Sequence, residues 1–67
     1  MLTNIESVTK AVEITPGLTA HHYKVREGAR ARNSWVYAAF RRAVRARRVV
    51  AAPGPRKGTT IYFPAPQ

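Results

Sequence analysis

Arg41, Arg42 and Arg45 crowd one short stretch of this chain, with Ala38 just before them. A guanidinium offers a planar fork of N–H donors that fits paired phosphate oxygens or the O6/N7 edge of guanine, which a lysine ammonium does not match. More cations bracket the stretch: Arg30 and Arg32 ahead of it, Arg48 behind it, and Arg56 and Lys57 further on. Asn33, Ser34, Trp35 and Tyr37 add hydrogen-bonding and aromatic groups at its start. The chemistry these residue types share is recognition of a polyanion. The bland alternative is a solvated basic face that only aids solubility.

Composition favours the polyanion. The formal net charge is +9 over 67 residues. Residues 1–25 balance to zero, with Lys10 and Lys24 against Glu6 and Glu13. The whole excess lies in residues 26–67, where nine arginines and Lys57 face only Glu27. Such asymmetry points to an anionic partner.

Other chemistries find little support. There is no cysteine, so disulfides and thiolate zinc sites are excluded. His21-His22 invites a metal, but neighbours on a helix diverge by about 100° and chelate one ion poorly. The pair reads as polar surface or as a phosphate contact. The carboxylates are Glu6, Glu13 and Glu27, and Ser7 and Ser34 have no coherent base or oxyanion arrangement. Gly54 and Gly58 do not form a phosphate-binding loop. The expectation is a non-enzyme without cofactor, metal or small-molecule ligand. No basic and apolar leader follows Met1, and the apolar runs are far too short to span a bilayer. A cytoplasmic protein, nucleoid-associated when bound to DNA, is expected.

The elements that must carry these side chains can be read from spacing. Residues 1–67 make one domain with a thin core. Thr3 as N-cap and Glu6 three residues later fit a capping box. Leu2, Ile5, Val8 and Val12 then give a first helix over 4–13, stopped at Thr15-Pro16-Gly17. Thr19 caps a second helix over 20–28, ended by Gly28. Asn33 or Ser34 caps a third over 34–47. In that helix Val36, Phe40, Ala43 and Val44 fall on one face and Ala38, Arg41, Arg42 and Arg45 on the opposite one. A strand over 48–52, a basic turn over 53–58 and a strand over 59–63 form a hairpin. Ile61 and Phe63 alternate with Thr60 and Tyr62, so Ile61 and Phe63 are expected to pack with Val49 on the helices. Tyr62 would then be exposed or held for a partner. Leu2, Ile14 and Trp35 are candidate dimer contacts.

Helix, helix, basic helix and basic hairpin together resemble the winged helix-turn-helix superfamily of DNA-binding domains. Val36, Phe40, Ala43-Val44 and Val49 sit where that family commonly has an apolar S-x-V-x-x-x-L-x-x-L-V helix running into a strand. Gly58 to Phe63 resembles its returning wing strand, and the likeness covers residues 18–63. Two departures stand out. Arg47 replaces a glycine that often closes the helix, so a less sharply turned end is expected. The family's short first strand has no counterpart beyond Leu18. The resemblance implies an α+β fold of three helices and a two-stranded wing. It also implies a recognition helix in the major groove and a wing on adjacent backbone or minor groove.

On that footing the DNA-binding candidates are Arg30, Arg32, Asn33, Ser34, Trp35, Tyr37, Ala38, Arg41, Arg42, Arg45, Arg48, Arg56 and Lys57. The partner is double-stranded DNA, with a second copy of the chain as a further one and no membrane. The role would be that of a transcriptional regulator, or of an architectural factor in recombination or plasmid maintenance. RNA or ribosome binding, and docking to an acidic protein, are the competing readings. A membrane-active helix over 35–48 leaves the hairpin without purpose.

Overall fold

A computed structural model describes residues 2–28 and 32–66. Its elements run α1 (Ile5–Ile14), β1 (Leu18–Thr19), α2 (Ala20–Glu27), α3 (Asn33–Arg45), β2 (Val49–Pro53) and β3 (Thr60–Pro64). The fold is α+β with a winged-helix-like topology. All three strands join one antiparallel sheet in the order β1-β3-β2. Leu18 pairs with Tyr62 on one side of β3, and Ala51 pairs with Tyr62 on the other. The two-residue β1 therefore does have the partner that its length hides from the sequence.

Two of the three helices start on a side-chain cap, and two starts differ from expectation. The N-cap of α1 is Asn4, not Thr3: its Oδ1 accepts from the Ser7 amide at 2.8 Å. Ser7 Oγ in turn faces the Asn4 amide at 3.4 Å, so Ser7 takes the reciprocal role expected of Glu6. Asn caps as well as any residue, and the shift leaves Glu6 in the first turn, where a negative charge is favoured. Thr19 caps α2 as expected, accepting from the His22 amide at 3.2 Å. Gly28 closes that helix in the left-handed conformation (φ 62°). Neither Asn33 nor Ser34 caps α3. Arg32 is the cap residue and offers no side-chain bond, while Asn33 Oδ1 accepts from Lys24 Nζ at 2.6 Å. Asn33 is thus spent on tying α2 to α3.

The end of α3 is sharper than expected. Arg47 itself adopts φ 61°, its amide donates to Val44 O at 3.0 Å, and the Arg48 amide donates to Ala43 O at 2.9 Å. This is the double bond pattern that normally recruits a glycine. The chain accepts a left-handed arginine there because β2 must begin at once, with Val49 buried against the helices.

One stripe from each helix builds the core: Leu2, Val8, Ala11 and Val12 from the α1 side, Ala20 and Tyr23 from α2, and Val36, Ala39, Phe40 and Ala43 from α3, with Val49 below. Leu2 is consequently core and not a dimer contact, whereas Ile14 and Trp35 remain exposed. The face of β3 also differs from expectation. Tyr62, itself half-buried, packs against the core with its ring 4.6 Å from that of Phe40, whereas the half-buried Ile61 is not part of that packing and Phe63 is 38% exposed. Tyr62 lies between Leu18 and the small Ala51 on its neighbours, which leaves room for a ring. A tyrosine also suits a boundary position, because its body is apolar and its tip polar.

Tyr23 ties the elements together. Its hydroxyl donates to Thr15 O at 2.6 Å and lies 3.4 Å from the Leu18 amide, which donates to it. Its ring stacks on Phe40 at 5.5 Å. Burial pushes the phenol's pKa up, offset in part by the Leu18 amide and Arg26. Because the folded pKa is raised, stability is fully present below the ordinary tyrosine range and declines as the pH climbs above about 10. Tyr23→Phe is expected to cost about 1–2 kcal/mol, read by urea unfolding, since it strands the Thr15 carbonyl. It should also shallow the alkaline decline. Wild-type stability at neutral pH in this variant would refute the role.

Candidate nucleic-acid interface

The inward stripe Val36, Ala39, Phe40 and Ala43 fixes how the rest of α3 faces solvent. At about 100° per residue, Ser34, Ala38, Arg41 and Arg45 point opposite to it, Tyr37 lies on one flank, and Trp35 and Arg42 on the other. Arg42 therefore sits off the centre of the face where it was expected. Ala38 is half-buried, and Ser34, Arg41, Arg42 and Arg45 are exposed.

The hairpin loop is held by its own hydrogen bonds. The Gly54 amide donates to Thr59 O at 2.9 Å, and Thr59 Oγ1 donates to Arg56 O at 2.6 Å. A Cβ on Gly54 would lie 2.1 Å from Thr59 Oγ1, so only glycine fits. Arg56 and Lys57 are exposed in the loop so held.

Between this loop, α3 and the start of α2 lies an open groove of about 770 Å³. Tyr37 and Arg41 border it from α3, Arg56 from the loop, Tyr62 from β3, and His21 and His22 from α2. No carboxylate lines it among the described residues. Burial raises the pKa of the Tyr62 phenol; Arg41 pulls it down and Tyr37 adds to the rise. Tyr62 thus stays a neutral hydroxyl able to donate.

The structure gathers some of the expected site residues and separates others. Tyr37, Arg41 and Arg56 meet at the groove. Arg32 and Trp35 form a pair of their own, with the guanidinium carbon 5.7 Å from the indole centroid and the indole 59% exposed. Arg48 borders a second, smaller hollow of about 380 Å³ with Arg47 and Glu13. Arg30 lies outside the described residues. His21 and His22, read from the sequence as polar surface or a phosphate contact, and Tyr62, read as exposed or held for a partner, also line the groove, though none was among the DNA-binding candidates. For the histidines the one sequence signal was their pairing right after a cap. For Tyr62 the signal was the alternation of its strand, which put it on the face opposite Ile61 and Phe63.

The described residues include no group of three His, Asp or Glu able to hold a metal, and none of their helices is long and apolar enough to cross a membrane. Comparison with protein-family models, with curated proteins and with solved structures gave no match.

Proposed function

We propose that this chain is a winged helix-turn-helix protein that binds duplex DNA, as a small regulator or an architectural factor. The exposed face of α3 (Ser34, Ala38, Arg41 and Arg45) enters the major groove. Arg56 and Lys57 of the hairpin loop hold the adjacent backbone or minor groove. The observation that supports this most is the convergence of Arg41 and Arg56, from separate elements, on one open groove without a carboxylate. A basic surface meant only for solubility has no need to bring guanidinium groups from a helix and a loop to a shared cleft. Ala38 contributes by being small, which lets the helix backbone approach base edges. Arg41 and Arg45 offer forks to guanine or phosphate.

The test is the salt dependence of binding, together with selection from a random duplex pool. With about six phosphates neutralised, log K should fall against log salt with a slope of roughly −5. Lys57→Ala should flatten the slope by about one and weaken all sequences alike. Enriched sequences with symmetric half-sites would show that two copies bind together. A near-flat salt response would sink the proposal, and tighter binding of structured RNA under the same salt would transfer it to RNA. Capture of an acidic protein with weak duplex affinity would instead favour a protein-docking role.

A further inference from the structure

His21 and His22 have no part in the duplex reading just given, yet both border its groove. Both are exposed, and their ring centroids lie 6.1 Å apart. The groups facing them across the groove are Arg41 and Tyr37 of α3, Arg56 of the hairpin loop and Tyr62 of β3. On α2 itself the charged neighbours are Lys24, Arg26 and Glu27. The His22 amide is consumed by Thr19 Oγ1 at 3.2 Å, and the same oxygen lies 3.0 Å from His22 Nδ1. That contact orients the ring and leaves Nε2 without a hydrogen-bond partner among the described residues.

Two imidazoles and two guanidinium groups around a cleft lacking a carboxylate form an electrostatically unfinished arrangement. An anion completes it. We propose that His21 and His22, with Arg41 and Arg56, form a phosphate-binding site for the DNA backbone in this groove, and that binding there takes up protons on the imidazoles. The inference rests on the duplex reading and extends it to α2. A phosphodiester oxygen in the groove favours the charged imidazole: the ring gains a proton from solvent, and the new N–H donates to the phosphate. Imidazole is the side chain that changes charge between about pH 5 and 8, so the coupling falls in an accessible range.

The sign follows from linkage. The bound state holds more protons than the free state, so affinity rises as the pH falls, by up to about tenfold per pH unit for each proton taken up. The experiment is fluorescence anisotropy of a short labelled duplex of random sequence at constant ionic strength, with wild-type chain and with the His21→Gln/His22→Gln double variant. Both side chains are exposed, and the cap bond to Thr19 uses the His22 backbone amide, so the variant keeps its fold; circular dichroism checks this. Wild-type affinity should rise at least about tenfold between about pH 8 and pH 6, and the double variant should show a much flatter profile. A flat wild-type profile with binding intact overturns the proton-linked site and leaves the duplex reading standing. The same follows if the double variant retains the wild-type profile. Absence of duplex binding at every pH overturns both.

Discussion

Phe40→Ala is expected to remove a large part of the folding stability of the chain. Phe40 is fully buried and lies between two rings, stacked on Tyr23 at 5.5 Å and tilted against Tyr62 at 4.6 Å. It thereby joins α3 to α2 and to the central strand. Truncating a buried phenylalanine costs about 3–5 kcal/mol, from lost transfer energy and the cavity left behind. Total stability for a chain of 67 residues is of order 3–10 kcal/mol. With no disulfide to limit the unfolded ensemble, a large share of that margin is lost. Relaxation cannot fill the gap easily, because the neighbouring core residues Ala39 and Ala43 are small and the two tyrosines are tethered by their own bonds and strand. The measurement is thermal unfolding followed by far-ultraviolet circular dichroism. A fall in Tm of at least about 12 °C is expected for Phe40→Ala. Phe40→Leu keeps much of the volume and should cost less than half as much. A drop of only a few degrees in the alanine variant would show that the helices hold together without this ring.

The inner stripe of α3 was legible in the sequence because a helical period of apolar residues has only one way to face a core. Val36, Phe40 and Ala43 are all buried, and Val44 is half-buried at the edge. Thr19 and Gly28 were legible for a similar reason, since cap chemistry is local. The start of α1 was misplaced by one residue because Thr3 and Asn4 are both good caps, and the choice depends on which side chain three residues later can reciprocate. Long-range pairing hid the rest. A strand of two residues such as Leu18–Thr19 carries no period and exists only through Tyr62 and Ile61 of β3. The stretch Thr60 to Phe63 has an apolar candidate on either face, so alternation could not choose between them. The choice fell to Tyr62, which fits beside Ala51 and over Phe40. The groove is the extreme case. His21, Arg41 and Arg56 belong to three elements far apart in sequence, and no local pattern links them. Arginine content could suggest a polyanion, but only the fold shows which arginines border one groove.

That selection gives the second large effect. Arg41→Ala and Arg56→Ala should each weaken duplex binding by about fivefold to 150-fold, the loss of about 1–3 kcal/mol that a well-placed guanidinium supplies. The double variant tests whether they hold the same stretch of DNA. Residues that grip one strand from opposite walls of a groove share a partner, so their effects are expected to couple and not simply add. Charge alone is controlled by Arg47→Gly. It removes the same single charge from a residue that borders the hollow shared with Glu13, and glycine suits the left-handed backbone found there. Its affinity should stay within about threefold of wild type, since a general field is screened beyond roughly 10 Å at ordinary salt. Arg41→Lys separates two further mechanisms. If Arg41 acts as a planar fork on a guanine edge or on paired phosphate oxygens, lysine will not restore binding. Equal losses in Arg41→Ala and Arg47→Gly would mean that the chain senses net charge only. The groove would then have no special role, and α3 would be a basic surface like any other.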